Sequence, residues 1–386
     1  MKIAMMVRGY ISAPGPKDIV YAPIDLAIQI SEGLKRLGHE VDFYGPAGTR
    51  LDANVHTRGT RALVHNIKEF QSLLSSVSLL THYIPGLWDQ YLSSEMFKRA
   101  KKGEYDLLHF HHPETAMAYA GLFPKVPVVY TLHDPIEGWW YELFQMYHTP
   151  NQFYISISDS QRKPAPDLPF VGTVYNGIDL NMFPYSNDHD DYLLFVGRIV
   201  PEKGADIAVE VAKRTNHKLI IIGPTYSDQL AYFEQKIKPH LNDRIQYLGF
   251  LEHKKVIPYF CKAKAFLMPV RWEEPFGLTM IEAMACGTPV IAFRRGSVPE
   301  VIAHGKTGFV VNTETEMVKA IGLVDKIDTI KCRNHVEEYF SIDTMVDGYV
   351  NTYKNILKIT RRKNFPSSIL ITKYRRFTQN KVKRWL

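Results

Sequence analysis

Short apolar runs alternate along the chain with longer amphipathic segments, and the pattern occurs in two series. Short apolar runs predict buried strands, whereas apolar residues at helical spacing predict helices between them. The first series predicts strands over 2–7, 41–44, 107–110, 126–132 and 154–157. The second predicts strands over 192–196, 219–222, 245–248 and 265–268.

Helices are predicted between these strands. Ile24–Leu37 has helical spacing and stops at Gly38, a residue typical of helix ends. Helical composition also marks Ala205–Lys213 and Leu278–Ala285. The apolar stretch 71–100 predicts two short helices broken at Pro85–Gly86, because proline interrupts a helix interior.

A polar break, SNDHDD at 186–191, separates the two series. Strand–helix alternation is typical of parallel sheets with right-handed crossovers and covered faces. We therefore expect an α/β protein with two doubly wound, Rossmann-like domains that face each other across a cleft. Ligands of such sheets bind at the carboxyl ends of the strands, so the cleft is the expected site.

Composition restricts the class of protein. The chain has 386 residues, of which 45% are hydrophobic and 23% charged, which excludes general disorder and suits two domains. Its three cysteines form no metal-binding spacing, so we expect a reduced, cytoplasmic setting. The first apolar run is too short for a secretory signal, and no run reaches the length of a membrane span.

The net charge of +7 comes from one end of the chain. Residues 361–386 carry nine Lys or Arg and no acid, so the remainder holds 38 basic against 40 acidic residues. The rest of the chain therefore lacks the basic excess typical of nucleic-acid binding. The tail resembles a basic amphipathic helix that lies on an anionic membrane surface, and a solvated basic tail is the alternative.

The second series contains the candidate chemistry. Gly197, Arg198 and Lys203 follow a predicted strand, where a glycine allows close approach to the backbone and two cations suit a diphosphate. Seven residues separate Glu274 from Glu282, with a Pro-Phe-Gly turn between them that precedes the helix predicted from Leu278. A helix N-terminus attracts anions, so a phosphate there would leave Glu282 near a ribose. The alternative is that both acids only complement the helix dipole.

Several motifs in the same order resemble those of family-4 retaining glycosyltransferases of GT-B fold. They include the two glutamates spaced as above, Gly197–Arg198 and the runs 202–204, 282–290, 296–300 and 304–309. The resemblance implies a first domain at 1–185, which faces the acceptor, and a donor-binding domain at 186–340. It also implies a helix at about 341–358 that crosses back to the first domain, followed by the tail 361–386.

Roles carried over from this resemblance are expectations. Arg198 and Lys203 would bind the diphosphate and stabilise the leaving group, Glu282 would hold the ribose, and Glu274 the hydroxyls of the donor sugar. No metal ion and no cofactor are implied, because the cations and the helix terminus supply the positive charge. The donor sugar and its phosphates would also be lined by Phe276, Gly277, Leu278 and Thr279.

In the first domain, His133 ends a strand as does the family histidine that faces the reacting sugar, although a core histidine is the alternative. The glycine pair that commonly opens the first helix in the family is absent from Val20–Asp25, and Gly9 is the substitute candidate for donor binding. His109 and His111 alternate onto one strand face, which also suits a metal, but zinc requires more ligands.

The expected function is a metal-independent glycosyltransferase of hexosyltransferase type. It would transfer a sugar, with retention, from a nucleotide-diphosphate sugar to a glycan, lipid-linked or small-molecule acceptor in polysaccharide or glycoconjugate biosynthesis. Two other classes stay open: a GT-B epimerase or phosphorylase, and a catalytically weak subunit that only binds a sugar nucleotide. The sequence leaves the base, the sugar, the acceptor and the linkage open.

Overall fold

A computed structural model describes residues 1–19, 21–74, 79–226 and 229–362 of the chain. Most of the predicted tail, from residue 363 onward, lies outside the described residues, so its membrane association stays a prediction. Among the described residues, no helix combines the length and the apolar character that crossing a bilayer requires.

The first sheet has seven parallel strands in the order β3-β2-β1-β4-β5-β6-β7. The chain builds outward from β1 in one direction and then, from β4, in the other. The point where the order reverses therefore lies between β1 and β4, and their carboxyl ends open there. The strands are β1 (Lys2–Met6), β2 (Glu40–Tyr44), β3 (Asn54–His56), β4 (Leu107–Phe110), β5 (Val128–Thr131), β6 (Gln152–Ser156) and β7 (Phe170–Thr173).

The second sheet repeats this plan with six parallel strands in the order β10-β9-β8-β11-β12-β13. Its reversal point lies between β8 and β11, so the segments that follow these strands meet at one edge. The two sheets confirm the predicted fold class. The strands are β8 (Tyr192–Val196), β9 (Lys218–Ile222), β10 (Ile245–Tyr247), β11 (Ala265–Met268), β12 (Val290–Phe293) and β13 (Gly308–Val311).

Helices cover the faces of both sheets, which lets the apolar strands bury both of their sides. In the first half they are α1 (Ala22–Arg36), α2 (Ile67–Leu74), α3 (Leu79–Lys101), α4 (Met117–Ala120), α5 (Trp139–Tyr147) and α6 (Asp159–Arg162). In the second half they are α7 (Ala205–Thr215), α8 (Leu230–Lys236), α9 (His253–Lys262), α10 (Leu278–Ala285), α11 (Val298–Val301), α12 (Glu314–Ile321) and α13 (Thr329–Tyr339).

The predicted break at Pro85–Gly86 is wrong, because α3 continues through Pro85. A proline removes only one hydrogen bond of a helix, and a long helix packed on a sheet can tolerate that loss. The buried side chains Leu92, Met96 and Phe97 pack α3 against the first sheet.

The last described helix, α14 (Ile342–Arg362), returns to the first sheet and packs against α1. Gly33 makes this close approach possible, since a Cβ there would lie 2.4 Å from a methyl of Val346. Tyr349 and Tyr353 are fully buried in the core of the first half. The observed helix begins near the predicted start at about 341, while the bounds 1–185 and 186–340 stay predictions.

Candidate active site

The turn between β11 and α10 carries Glu274 and presents the start of α10. Gly277 adopts φ +81°, a conformation that favours glycine, and it offers no side chain to cap the helix. Gly277, Leu278 and Thr279 are partly exposed, so the start of α10 is accessible to a ligand. An uncapped helix N-terminus at a sheet's reversal point is suited to a phosphate.

Glu274 is buried and held by two donors. Lys203 Nζ donates to Glu274 Oε2 over 2.6 Å, and Trp272 Nε1 donates to the same oxygen over 2.8 Å. The ammonium of Lys203 also lies 4.7 Å from the centre of the Trp272 ring, within cation–π distance. These contacts bring together the carboxylate and the lysine that the sequence placed 71 residues apart.

The backbone of this turn is fixed by the loop that follows β12. A Cβ at Gly296 would lie 2.2 Å from the carbonyl oxygen of Glu274, so only glycine fits there. The Ser297 N–H donates to that same carbonyl over 2.9 Å, and the Ser297 hydroxyl donates to the carbonyl of Phe276 over 2.8 Å. Phe276 itself is buried rather than open to a ligand, so its backbone is the part that can line the site.

Glu282 lies on the first turns of α10 and pairs with a histidine that the sequence did not single out. His253 Nε2 lies 3.0 Å from Glu282 Oε1, and since a carboxylate only accepts, the imidazole donates. The hydrogen bond and the charge of Glu282 raise the pKa of His253. Asp25, on α1 of the first half, faces this pair closely enough to raise the pKa of His253 further.

Arg198 is exposed at the end of β8, and it forms no ion pair with any described residue. Next to it, Gly197 and Gly223 are in close backbone contact, since a Cβ at Gly223 would lie 1.8 Å from the carbonyl oxygen of Gly197. The guanidinium is therefore available to a ligand at the carboxyl edge of the second sheet, on the same loop as Lys203.

His133 follows β5 and is partly exposed. Its Nε2 lies 2.8 Å from Nδ1 of His111, and burial lowers the pKa of His133 to about 3. The imidazole is thus neutral at physiological pH, when it can either donate or accept a hydrogen bond but cannot supply charge. Its predicted contact with the sugar stays a prediction.

The structure gives a reason for a glycine at position 9 that the sequence did not indicate. Its N–H donates to Asp89 Oδ1 over 2.5 Å, and a Cβ there would lie 2.8 Å from the carbonyl oxygen of Trp88 on α3. The neighbouring Arg8 pairs with Asp89 and Glu114 over 3.0 Å and 2.6 Å. The backbone N–H of Gly9, the residue predicted to help bind the donor, is therefore already engaged, and its role in donor binding stays a prediction.

The contacts of His109 give no support to a metal site on β4. Both ring nitrogens of His109 face hydroxyls, Nε2 that of Thr131 and Nδ1 that of Tyr353, each over 2.8 Å. Throughout the described ranges, no group of three or more His, Cys, Asp or Glu side chains is arranged to hold a metal ion.

Comparisons with known proteins find similar sequences and folds over most of the chain. The family model described as Glycosyltransferase Family 4 matches residues 26–182, and the one described as Glycosyl transferases group 1 matches residues 181–339. An uncharacterized glycosyltransferase of Methanocaldococcus jannaschii is 26% identical, covering 94% of this chain and 100% of that protein.

Two solved structures resemble the chain in fold. The sucrose-phosphate synthase of Thermosynechococcus elongatus has a TM-score of 0.72 at 18% identity, covering 93% of this chain and 100% of that one. The Anabaena protein Alr3699/HepE in complex with UDP-glucose has a TM-score of 0.66 at 18% identity, covering 92% and 100%. Together the two family models cover most of the chain with no gap between them, and the chain belongs to the family-4 glycosyltransferases of GT-B fold.

Proposed function

We propose that this glycosyltransferase takes its sugar from a nucleotide-diphosphate donor and transfers it with retention, without a metal ion. The observation that supports this most is the convergence of Lys203, the uncapped start of α10 and two carboxylates at one reversal point. UDP is the first nucleotide to test, because the similar fold of Alr3699/HepE was solved with UDP-glucose.

Charge stabilisation is the main catalytic contribution in this proposal. When the bond from the anomeric carbon to the diphosphate breaks, negative charge grows on the departing phosphate. Arg198, Lys203 and the first N–H groups of α10 would neutralise it, and fixed donors of this kind usually lower the barrier most. Glu282 would bind the ribose hydroxyls through the oxygen that His253 does not occupy.

Glu274 fits a positioning role better than that of a covalent nucleophile. Its Oε2 already accepts hydrogen bonds from Lys203 and Trp272, so the carboxylate is fixed and its charge is shared. We propose that Glu274 accepts from hydroxyls of the donor sugar and that His133 contacts the sugar from the other domain. Transfer would then occur on one face of the sugar, with the acceptor entering where the diphosphate leaves.

A thermal-shift titration tests the donor site directly. A ligand present at 100 times its dissociation constant should add about 2.7 kcal/mol to the free energy of unfolding. We expect one class among UDP-, GDP- and ADP-sugars to shift the melting temperature, and Glu282→Ala to lose that shift. Glu210→Ala, which removes an α7 carboxylate whose ion pair within the described ranges is with Lys213 on the same helix, is the control. Absence of any shift in the native protein would contradict the proposal.

Turnover assays separate the alternative functions. Consumption of donor without acceptor, with an isomeric sugar nucleotide as product, would indicate an epimerase, while a requirement for orthophosphate would indicate a phosphorylase. Binding with no hydrolysis or transfer would indicate a binding subunit. Undiminished transfer in excess EDTA is the result expected for a metal-independent enzyme.

We also propose that residues 361–386 hold the enzyme at an anionic membrane surface, on the cytoplasmic face where a lipid-linked acceptor could be reached. Nine cations and no acid in this segment support it, since each cation near such a surface is worth about 1 kcal/mol. Sedimentation with phosphatidylglycerol vesicles, but not with phosphatidylcholine vesicles, is expected for the full chain. Equal binding by a chain truncated at residue 360 would contradict it.

A further inference from the structure

Three imidazoles lie in a row beneath the first half of the cleft. His109 lies on β4 and His111 directly follows it, with ring centres 4.4 Å apart. The ring centres of His111 and His133 are 5.1 Å apart, and the two rings are nearly parallel. His111 is 1% exposed, and its Nδ1 lies 2.8 Å from Nε2 of His133. The other nitrogen of His111, Nε2, is buried and has no partner among the described residues.

This arrangement restricts where the hydrogen atoms lie. Burial lowers the pKa of both rings, so each is neutral and carries one N–H. If the hydrogen of His111 were on Nε2, a buried donor would be left without an acceptor. If it is on Nδ1, that donor is satisfied by His133 and only a lone pair stays unpaired. Buried donors without partners are the rarer case in folded proteins.

We propose that His111 is a positioning residue that fixes the tautomer of His133. His111 donates from Nδ1 to Nε2 of His133, so the hydrogen of His133 lies on its own Nδ1. His133 thereby offers the cleft a fixed donor for a substrate hydroxyl rather than an acceptor. This inference rests on the proposed contact between His133 and the transferred sugar or its acceptor.

The ring of His111 is itself held in place by its neighbour His109. His109 packs on the ring of His111, and its two nitrogens face the hydroxyls of Thr131 and Tyr353. Tyr353 belongs to α14, which returns from the second half of the chain. The position of the His111 ring is therefore fixed by buried contacts that reach α14, and its hydrogen bond to His133 sets the donor direction.

Two substitutions separate positioning from packing. His111→Asn keeps an N–H donor near the position of Nδ1, whereas His111→Leu keeps apolar volume and removes the donor. We expect His111→Leu to lower kcat by about 10- to 100-fold, the worth of one buried hydrogen bond, with the donor KM nearly unchanged. His111→Asn should recover most of that loss.

The tautomer can be observed directly in the full-length protein. In ¹⁵N-histidine-labelled protein, long-range ¹H–¹⁵N spectra distinguish a protonated from an unprotonated ring nitrogen, and His133→Gln assigns the signal. A protonated Nδ1 on His133 in the native protein is the expected result, and its reversal to Nε2 in His111→Leu would support the proposal. A protonated Nε2 in the native protein, or full kcat in His111→Leu, would overturn it.

The same samples keep this inference separate from the function on which it rests. If UDP still shifts the melting temperature of His111→Leu while kcat falls, the donor site is intact and the change acts through His133. If native protein shows neither a nucleotide shift nor transfer, the proposed function fails first. If His111→Leu does not fold, the tautomer of the native protein decides alone.

Discussion

The ion pair between Lys203 and Glu274 joins the loop after β8 to the turn before α10, and its loss should destabilise the second half of the protein. The two charged atoms are 2.6 Å apart, and the side chains are only 19% and 8% exposed. The perturbation is a cycle of three variants: Lys203→Met, Glu274→Gln and both together. Trp272 remains in all of them.

The magnitude follows from the distance and the burial. At an effective dielectric constant of about 20, two charges at this separation attract by about 6 kcal/mol, much of which is offset by desolvation. Removing one partner of a buried pair leaves the other charge without compensation and costs about 3–5 kcal/mol. We expect about 3 kcal/mol for Lys203→Met, because Glu274 keeps the hydrogen bond from Trp272.

Glu274→Gln should cost less, about 1–2 kcal/mol, because Lys203 can still reach water and the ring of Trp272. The double variant should be no less stable than Lys203→Met, which gives a coupling energy of at least about 1–2 kcal/mol. Urea unfolding followed by circular dichroism measures each value. Lys262→Met, which breaks an exposed pair with Asp188, is the control and should cost less than about 1 kcal/mol.

A coupling energy below about 0.5 kcal/mol would refute the reasoning, because it is the size expected for an exposed pair. The cycle would then indicate that the turn holding Glu274 is fixed by its backbone contacts alone. In that case the two side chains would be free to separate when a diphosphate binds.

Three further predictions concern the same site. Gly296→Ala should destabilise the protein and lower kcat, because its Cβ would meet the backbone of Glu274. Gly305→Ala, with a similar φ and open space around it, should lower the free energy of unfolding by only about 1 kcal/mol, measured by urea unfolding. Glu274→Gln should bind UDP about three- to tenfold more tightly by calorimetry while kcat falls, since a repulsion of about 1 kcal/mol is removed. The raised pKa of His253 adds stability that is fully present below pH 6.5 and lost as the pH rises through that pKa, so urea midpoints at pH 6 and 8.5 should converge in His253→Gln. A kcat unchanged in Gly296→Ala, weaker UDP binding, or an unchanged pH dependence would contradict each in turn.

The strands that the sequence predicts best are those buried on both faces. The run 107–110 coincides with β4, and 192–196 and 265–268 coincide with β8 and β11. Burial on two faces requires a continuous apolar run, which is visible without any partner. Helix α10 is likewise predicted to the residue, because Gly277 precedes it and a second glycine follows its end. The pattern does not predict β3, β7, β12 and β13, of which β3, β7 and β13 are edge strands and β12 lies next to an edge.

Partners of the site residues could not be predicted in the same way. The spacing of Glu274 and Glu282 indicates that both flank a helix start, and the structure places them so. Nothing in the sequence indicates that His253 meets Glu282, because 29 residues and a change of helix separate them. The position of Trp272, two residues before Glu274, was a sequence indication of their contact. It was a weak one, because a tryptophan near an acidic residue is more often a core residue. Such pairs are determined by tertiary packing: that of α9 on α10 for His253 and Glu282, and that of the loop after β8 on the turn before α10 for Lys203 and Glu274.

The two halves of the cleft differ in the charge that they leave available. In the first half, the guanidinium of Arg8 is already bonded to two carboxylates, Asp89 and Glu114, so it adds little positive potential to the cleft. In the second half, Arg198 has no ion pair among the described residues, and the start of α10 has no side-chain cap. In the proposed reaction a diphosphate would therefore be attracted chiefly to the second half, and the absence of a glycine pair from the first half would matter little for donor binding. What the first half presents instead is a neutral imidazole, which can orient a hydroxyl without competing for the charge of the leaving group.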